Sequence, residues 1–453
     1  MIQMSVAQIA SKLGAPYLFG DALINGVSTD SRHIEAGNLF VALKGENFDG
    51  NVFVDAVAAQ GAAAAIVSKP TPSAGLPQIV VSDTTDALGK LAQCWRSRFA
   101  IPMLALTGSN GKTTVKEMLR AILVSHTGDA NAVMATEGNL NNHIGLPLML
   151  LKLAAPHRYA VLEMGMNHLG EIDYLARLAS PAVALITVAG TAHIGELGSR
   201  DAIAKAKGEI YAALPATGVA CINADDDYAA YWQTLAGSRR VIRFGTSANV
   251  DVRGELIGER VKISIAGESA TVTLAALGEH NQRNAIAAAA GAHALGVSLA
   301  HIARGLTQFQ PAHGRLCVYA GEAGSTVIDD TYNANPDSMR AAIAVLAAKP
   351  GTRILVVGDM KELGVDGPAM HREIGVEARK ANIHAVFGLG TLAHEIVKTF
   401  GSGAQHFDDV PALLAALTPT LHANTTVLVK GSRSMKMERI VEKIAPYVAK
   451  DIH

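Results

Sequence analysis

The sequence predicts an α/β protein of three domains, and three observations support this fold class. The chain has 453 residues, too many for one domain of about 150 residues. Hydrophobic residues make up 49% and charged residues 17% of the chain, a balance that favours large cores over disorder. From about Ile101, short apolar runs alternate with helical segments, which is typical of a parallel sheet covered on both faces.

The first predicted domain covers residues 1–98 and combines short strands with helices. The chain opens on a short amphipathic helix rather than a signal peptide. A strand and a turn are predicted in GNLFVALKGENFDG, residues 37–50, and a helix followed by an apolar strand ends near Val67. LPQIVVSD gives another strand. A helix from Thr84 to Phe99 leads into the second domain.

The second predicted domain covers residues 99–314. Its buried strands are predicted in IPMLALT, YAVLEM, VALITV, GVACIN and RVIRF, with helices between them. Residues 250–275 differ, because polar and apolar residues alternate there and indicate a small antiparallel patch. The segment HNQRNAIAAAAGAHALG, residues 280–296, predicts a long helix.

The third predicted domain covers residues 315–453 and restarts the alternation of strands and helices. STVIDD, RILVVGD, IHAVFG and TTVLVKG predict its strands. The pattern indicates a second open α/β sheet with a Rossmann-like arrangement.

Composition excludes several classes of function. A net charge of −1 argues against a nucleic-acid-binding protein. Cys94, Cys221 and Cys317 lie far apart, which argues against a disulfide framework or a structural zinc site and favours a reducing cytoplasm. No apolar stretch reaches the roughly 18 residues of a membrane helix, so we expect no membrane insertion.

The most informative motif is a glycine-rich turn between an apolar strand and a helix. It comprises Gly108, Ser109, Asn110, Gly111, Lys112, Thr113 and Thr114. Glycines let backbone N–H groups surround phosphate oxygens, and the helix N-terminus adds partial positive charge. Lys112 can reach the terminal phosphates of a nucleotide, and Thr113 can bind Mg²⁺. The alternative is a glycine-rich turn without a ligand.

This short loop and five further segments resemble the Mur ligases and their relative folylpolyglutamate synthetase. The segments are ATEGNLNNHIGLP, LEMGMNHLGEI, DDTYNANPDSM, GDMKELG and KGSRSMKME. Together with STDSR at residues 28–32, the matches run from Ser28 to Met437. The resemblance implies an ATP-dependent amide ligase, which activates a carboxylate as an acyl phosphate and captures it with an amine.

The resemblance also implies a magnesium site for two ions. Glu163 ends the predicted strand YAVLE, so its carboxylate would emerge at the edge of the sheet where ligands bind, and with Thr113 it would hold Mg²⁺. The alternative is a glutamate that caps the next helix. His193 would bind the second ion, although imidazole is an unusual magnesium ligand, and the alternative is a polar loop residue. The family often has asparagine where this chain has Val188.

Lys207 is the fourth residue implied at the metal site. In related ligases a lysine at this spacing from Ile210 and Tyr211 reacts with CO₂, and the carbamate holds the second ion. Carbamylation needs a neutral amine, so the pKa of Lys207 must fall from its usual value of about 10.4. The alternative is a solvated lysine that pairs with Glu209 or Asp201.

Further residues of the family's site map onto this chain. Asn281 would contact adenine, or cap the helix that follows. Arg315 would bind the phosphates of ATP, to which arginine is suited. Asp330 would bind the ribose. Because the arginine and the aspartate lie at the edge of the third domain, ATP would be shared between the second and third domains.

The remaining implied contacts are to the two other substrates. The UDP and sugar of a UDP-N-acetylmuramoyl-tripeptide would be held by Ser28, Thr29, Arg32 and Lys44. Its peptide would be contacted by Thr136, Asn139 and Asn141. An incoming D-alanyl-D-alanine would be contacted by Asn333, Asn335, Lys361 and Lys430. The family's usual histidine after F-D-G is Asn51 here, and the loops at 358–364 and 430–434 are equally consistent with ordinary turns.

The sequence therefore predicts a monomeric cytoplasmic ligase of peptidoglycan synthesis, with ATP and Mg²⁺ as cofactors. Three alternatives stay open. One is a ligase of the same family that adds a different amine, against which DDTYNANP argues. The second is a phosphotransferase that releases a phosphorylated product. The third is a nucleotide-binding scaffold without catalytic activity.

Overall fold

The computed structural model describes residues 2–46, 48–192 and 194–445. Its first sheets and helices form an N-terminal α/β unit. The strands are β1 (Met4–Ser5), β2 (Tyr17–Leu18), β3 (Leu23–Ile24), β4 (Gly26–Ser28), β5 (Asn38–Val41), β6 (Ala64–Val67) and β7 (Gln78–Val80). The helices are α1 (Val6–Leu13), α2 (Val54–Ala59) and α3 (Thr84–Arg96).

The N-terminal unit confirms the predicted mixture of short strands and helices. Its main sheet has the order β2-β7-β6-β5-β4, parallel except for the edge strand β2. The opening helix α1 begins with a capping box between Ser5 and Gln8 and ends at Gly14 in the left-handed conformation. Strands β1 to β4 have two or three residues each, too few for a periodic pattern, and the sequence did not predict them.

The central unit contains a nine-stranded sheet. Its strands are β8 (Met103–Thr107), β9 (Val133–Ala135), β10 (Tyr159–Glu163), β11 (Val183–Ile186), β12 (Val219–Asn223), β13 (Arg240–Gly245), β14 (Val252–Ile257), β15 (Arg260–Ile265) and β16 (Glu268–Thr273). Its helices are α4 (Lys112–Thr127), α5 (Gly145–Leu151), α6 (Glu171–Ala179), α7 (Ile194–Leu197), α8 (Arg200–Ala212), α9 (Ala229–Ala236), α10 (Glu279–Ala294) and α11 (Leu299–Gln308).

The order of the central strands places β8 in the interior of the sheet, third from the edge strand β9. The order is β16-β15-β14-β13-β12-β11-β8-β10-β9, parallel from β9 to β14. Successive residues of β8 lie in the cores on opposite faces of the sheet, with Ala105 in one core and Leu104 in the other. The connection after β8 leads to β9 on one side of β8, and the connection after β10 leads to β11 on the other side, which is the kind of switch point where α/β sheets bind ligands. The predicted antiparallel patch is confirmed, and it continues this same sheet.

The C-terminal unit is a second, smaller sheet with helices on both faces. Its strands are β17 (Cys317–Ala320), β18 (Thr326–Asp330), β19 (Thr352–Gly358), β20 (Ala385–Leu389), β21 (Ala404–Phe407) and β22 (Thr425–Lys430). Its helices are α12 (Pro336–Ala347), α13 (Gly367–Lys380), α14 (Ala393–Phe400), α15 (Val410–Leu417) and α16 (Glu438–Ile444). The order is β17-β18-β22-β19-β20-β21, parallel except for β17.

The N-terminal unit packs firmly on the central unit through helix α3. Trp95 Nε1 donates to Leu153 O at 3.1 Å, and Arg96 Nε donates to Ala179 O at 2.7 Å. One continuous apolar core joins the two units. The three-domain α/β class is confirmed, while the boundaries at residues 98/99 and 314/315 stay predictions. Within the described residues, no helix is both long and apolar enough to cross a membrane.

Candidate active site

The glycine-rich turn at residues 108–114, here called the phosphate loop, has a shape that requires its glycines. Gly108 and Gly111 have positive φ angles of 154° and 82°. A Cβ atom on Gly108 would lie 1.8 Å from Thr187 Oγ1, and one on Gly111 would lie 2.3 Å from Asn284 Oδ1. Because the loop packs directly against the residue after β11 and the start of α10, a side chain at either position would displace Thr187 or Asn284 and strain the backbone.

The segment after β11 holds the phosphate loop in place by three hydrogen bonds. Ser109 N donates to Val188 O at 2.8 Å, and Gly190 N donates to Ser109 Oγ at 2.9 Å. Thr187 Oγ1 donates to Asn110 O at 2.6 Å. Val188 supports the loop through its carbonyl oxygen, so this bond does not need the asparagine that the family often has there.

Asp226 in turn holds the segment after β11 in place, a role that no motif in the sequence indicates. Its carboxylate accepts hydrogen bonds from Ala189 N at 2.9 Å and Tyr228 N at 3.0 Å. Burial raises the pKa of Asp226. Asp226 therefore supports the phosphate loop indirectly, by holding the segment after β11 in place.

Lys112 lies in the first turn of α4 and curls back over the phosphate loop. Its Nζ donates to Gly108 O at 2.7 Å. Burial lowers the pKa of Lys112, the negative charge of Glu163 opposes that shift, and Arg315 adds to it. The amine therefore lies where the loop would receive phosphate oxygens, and a bound phosphate would favour its charged form.

Glu163 lies at the end of β10 with 3% of its surface exposed. Its carboxylate accepts hydrogen bonds from Thr113 Oγ1 at 3.0 Å and Asn141 Nδ2 at 2.8 Å. Both described donors to this carboxylate are side chains and not backbone N–H groups of the next helix. The alternative that Glu163 caps that helix is therefore wrong. The loop at residues 136–142, here called the asparagine loop, thus contacts the same carboxylate as the phosphate loop.

The donor set at Thr113 and Glu163 fits a magnesium ion bound together with a nucleotide. Hydroxyl and carboxylate oxygens are ligands that Mg²⁺ prefers, and it commonly takes few protein ligands plus phosphates and waters. Among the described residues, no group of three or more His, Cys, Asp or Glu side chains could hold a metal by itself. His193, the other implied ligand, lies outside the described residues.

Lys207 is buried, with 1% of its surface exposed. Burial lowers its pKa well below the usual value, and the charge of Lys112 lowers it further. Glu209 instead accepts from Gly170 N at 2.8 Å, and Asp201 accepts from a tyrosine hydroxyl. The alternative of a solvated lysine paired with Glu209 or Asp201 is therefore wrong.

A cavity of about 450 Å³ lies between the central and C-terminal units. The phosphate loop, the asparagine loop and the loops after β18, β19 and β22 surround it. Predicted site residues on its wall are Ser109, Asn110, Gly111, Lys112, Thr113, Asn139, Asn141, Glu163, Arg315, Asn333, Asn335, Lys361 and Lys430. Further polar residues on the same wall were not predicted from the sequence: Asn142, His143, Asn167, Glu171, Tyr332 and Glu362.

A smaller cavity of about 330 Å³ adjoins the first at the phosphate loop. The predicted ATP-binding residues Thr114, Asn281, Arg315 and Asp330 line it. The N-cap residue of helix α10 is Gly278, and Asn281 lies inside the first turn of that helix. The alternative that Asn281 is the N-cap is therefore wrong. Its side chain donates to Leu277 O at 2.8 Å.

Charged groups of the C-terminal unit meet at the junction of the two cavities. Lys430 Nζ donates to Asp330 Oδ2 at 2.6 Å, inside the protein. Burial raises the pKa of Asp330, while Lys430 opposes that shift. Burial and the charge of Lys430 lower the pKa of His280, another wall residue, to about 4. The histidine therefore stays neutral at pH 7.

Direct contacts close the C-terminal unit over the phosphate loop. Arg315 Nη2 donates to Thr113 Oγ1 at 3.1 Å, and Asn335 Nδ2 donates to Asn110 Oδ1 at 2.8 Å. Asn335 also caps helix α12. The two cavities are therefore shared between units, as the sequence predicted for ATP.

A further cross-domain contact joins Thr191 to Asp337. Thr191 N and Thr191 Oγ1 both donate to Asp337 Oδ2, each at 2.8 Å. Neither residue was singled out from the sequence, because 146 positions separate them.

The loops at 358–364 and 430–434 hold each other at the wall of the larger cavity. Lys361 N donates to Ser432 Oγ at 2.8 Å, and Lys361 Nζ donates to Asp359 Oδ2 at 2.9 Å. Asp359 also accepts from Leu392 N and Ala393 N at the start of α14. The two loops thus present a lysine amine to the cavity from a rigid support.

Other predicted substrate residues do not line either cavity. Thr136 is 1% exposed, and its Oγ1 accepts from Glu163 N at 2.9 Å. In the N-terminal unit, Arg32 forms a two-point ion pair with Asp30, with both bonds 2.8 Å long. The three other N-terminal residues of the set also lie away from the cavities: Ser28, Thr29 and Lys44. Roles for these residues stay predictions.

Asn51, which stands where the family's histidine is usual, has a structural role. Its Oδ1 accepts from Ser68 N at 3.0 Å, and its Nδ2 donates to Asp49 Oδ1 at 2.6 Å. It therefore ties the F-D-G turn to the end of strand β6.

Comparison with known proteins gives one family for all three units. The model of the Mur ligase family, catalytic domain, matches residues 23–96, the Mur ligase middle domain matches 106–292, and the Mur ligase, glutamate ligase domain matches 314–433. The UDP-N-acetylmuramoyl-tripeptide–D-alanyl-D-alanine ligase of Escherichia coli (strain K12) is 41% identical over 98% of this chain and 99% of that protein.

Solved structures show the same likeness. MurF from Acinetobacter baumannii matches with a TM-score of 0.92 and 38% identity over 98% of this chain and 99% of that one. MurF ligase from Thermotoga maritima in complex with ADP matches with a TM-score of 0.82 and 28% identity, over 94% of this chain and 98% of that one.

Proposed function

The chain belongs to the Mur ligase family, and we propose that it joins D-alanyl-D-alanine to UDP-N-acetylmuramoyl-tripeptide. The reaction uses ATP and yields the UDP-N-acetylmuramoyl-pentapeptide, ADP and phosphate. The chain is thus an ATP-dependent amide ligase of peptidoglycan synthesis. The observation that carries this function is the convergence of the phosphate loop, the asparagine loop and the C-terminal loops on one cavity.

The phosphate loop provides the first step, the transfer of a phosphoryl group to a carboxylate. We place the terminal phosphate of ATP at Lys112 and the adenosine in the smaller cavity near Asn281 and Asp330. The carboxylate of the tripeptide then faces the phosphorus from the side of Asn139 and Asn141. A carboxylate oxygen bonds to phosphorus as the bond to ADP breaks, giving an acyl phosphate. Lys112 and Arg315 offset negative charge that would otherwise repel the attacking carboxylate.

The oxygen atoms of Thr113 and Glu163 support a Mg²⁺ site beside the terminal phosphates. When bound, the ion supplies positive charge to the phosphate oxygens during transfer. A second ion, with His193 among its ligands, is part of this proposal. The hydrogen bonds from Thr113 and Asn141 hold the Glu163 carboxylate in one orientation before any ligand binds.

The second step is attack by the amine of D-alanyl-D-alanine on the acyl phosphate. Its nitrogen bonds to the carbonyl carbon, phosphate leaves with the bonding electron pair, and the nitrogen loses a proton. We place the dipeptide against Asn333 and Lys361, since their loops face the phosphate loop across the larger cavity. The ammonium of Lys361 suits the dipeptide's carboxylate. We propose that domain closure through the contacts from Arg315 and Asn335 to the phosphate loop keeps out water, which would hydrolyse the acyl phosphate.

We also propose that Lys207 is carbamylated. The neutral amine attacks CO₂, a new N–C bond forms, and the nitrogen releases one proton, leaving an anionic carbamate. Burial and the nearby charge of Lys112 support this reaction, since both favour the neutral amine. The carbamate would offset the buried positive charge of Lys112 and offer oxygen ligands to a second ion.

Cytoplasmic location and a monomeric state stay predictions. A cytoplasmic location is consistent with the substrates, since ATP and a UDP-linked precursor are soluble nucleotides.

The decisive experiment measures ADP and phosphate release with ATP, Mg²⁺, UDP-N-acetylmuramoyl-tripeptide and D-alanyl-D-alanine, with each omitted in turn. We expect sustained release only with the complete mixture, and a pentapeptide product detectable by mass spectrometry. Sustained ADP formation without any amine would indicate a phosphotransferase. Turnover with another amine in place of the dipeptide would indicate a different acceptor.

A further inference from the structure

Lys116 is a buried cation on the phosphate-loop helix that the mechanism above does not use. It is 3% exposed and lies on the second turn of α4, next to the buried apolar residues Val115, Met118 and Leu119. Burying an ammonium group is costly, and the N-terminal part of a helix disfavours a cation. An apolar residue would fill the same space at lower cost, so packing alone does not account for this lysine.

The ammonium of Lys116 reaches across to the start of the asparagine loop. Its Nζ donates to Thr136 O at 2.6 Å and pairs with Glu117 Oε1 at 2.7 Å. Thr136 is itself fixed on the central sheet, since its N donates to Val161 O at 3.0 Å. Lys116 therefore ties α4 to the end of strand β9.

Thr136 also contacts Glu163 directly. Its Oγ1 accepts from Glu163 N at 2.9 Å. The Glu163 carboxylate accepts from Thr113 Oγ1, and Thr113 lies on α4 three residues before Lys116. Residues spaced by three lie on one face of a helix. A closed ring of contacts therefore runs from α4 through Lys116, Thr136, Glu163 and Thr113 back to α4.

We propose that Lys116 is a positioning residue, which sets the separation between the oxygen donors Thr113 and Glu163. It lines neither cavity, so it acts through Thr136 and Glu163 and not on a substrate. The same contact fixes the start of the asparagine loop, whose Asn141 holds the other oxygen of Glu163. This inference rests on the proposed function only in taking Thr113 and Glu163 as the cation site.

The test measures binding of Mn²⁺ in the presence of ADP, by electron paramagnetic resonance of free Mn²⁺ relative to a protein-free solution with the same Mn²⁺ and ADP concentrations, and so does not depend on turnover. Lys116→Met keeps the length of the side chain but removes the donor, and we expect at least a tenfold weaker Mn²⁺ affinity. Lys116→Arg retains a charged donor, and we expect it to recover most of that loss. Lys90→Met is the matched control, because Lys90 forms an exposed pair with Asp86 on α3, and we expect no change.

The outcomes separate the inference from the proposed function. Mn²⁺ affinity within twofold of wild type in a folded Lys116→Met protein would overturn the positioning role alone. If wild-type protein did not bind Mn²⁺ with ADP, the proposed function would fail and this inference with it. Should Lys116→Met not fold, Thr136→Val decides instead. It removes the acceptor for Glu163 N, and unchanged Mn²⁺ affinity in that variant would equally overturn the inference.

Discussion

Replacing Lys112 by methionine tests the phosphate loop with little change of shape. In the structure its Nζ lies 2.7 Å from Gly108 O, so the charge sits within the loop that would hold the terminal phosphate. Two unit charges about 4 Å apart interact by about 4 kcal/mol at an effective dielectric constant of about 20. At about 1.4 kcal/mol for each factor of ten in rate, the loss is about 10³-fold in kcat/KM for ATP.

The assay follows ADP formation with all three substrates present. Lys112→Met should melt no lower than wild type, because burial already disfavours the charged amine there. Lys90→Met serves as the exposed control. A folded Lys112→Met protein that kept kcat/KM within about tenfold of wild type would refute the placement of the phosphate at this loop.

Three further predictions concern the cation, Lys207 and the closure of the domains. Glu163→Gln keeps the size of the side chain but removes its charge, and it should raise the Mg²⁺ concentration for half-maximal rate by at least tenfold. Unchanged Mg²⁺ dependence would contradict the metal role. Removing dissolved CO₂ should lower activity reversibly in wild type but not in Lys207→Gln, and equal responses would contradict carbamylation. Thr191→Val removes one hydrogen bond to the Asp337 carboxylate, worth about 1.5 kcal/mol. That free energy corresponds to more than a tenfold change in the equilibrium between the closed and open arrangements of the domains. Small-angle scattering should then show a larger radius of gyration, whereas an unchanged radius would contradict a closing role.

The sequence predicted the long elements of the fold because they carry strong periodic patterns. Buried strands such as β8 and β10 are continuous apolar runs, and their ends located the phosphate loop and Glu163. The short strands β1 to β4 and β9 and the edge strands β17 and β21 were not predicted, since two to four residues carry little periodicity and their pairing depends on distant neighbours. Tertiary contacts, not local propensity, form these strands.

Site residues that belong to a local sequence motif were predicted. Site residues that come together only in the folded protein were not. The phosphate loop could be recognised from its glycines and lysine alone. The contact between Thr191 and Asp337, by contrast, joins two domains and leaves no local pattern. Lys116 was missed because a lysine on a helix usually faces solvent, and only the structure places its amine against Thr136.

The alternatives for single residues were decided by burial and by partners that the sequence does not specify. Lys207 could have paired with Glu209 at the surface, but Glu209 caps helix α6 and the lysine is buried. A charge pattern alone could not distinguish these two arrangements. Thr136 is buried and its hydroxyl group accepts a hydrogen bond from Glu163 N, while its contact with substrate stays a prediction.

The central claim is that the phosphate loop presents the terminal phosphoryl group of ATP to the carboxylate of the tripeptide. Labelling that carboxylate with ¹⁸O tests it most directly, by mass spectrometry of the phosphate released in a complete reaction. Formation and breakdown of an acyl phosphate predicts phosphate that carries one ¹⁸O atom from the carboxylate. Phosphate without the label, released together with the pentapeptide, would contradict the account.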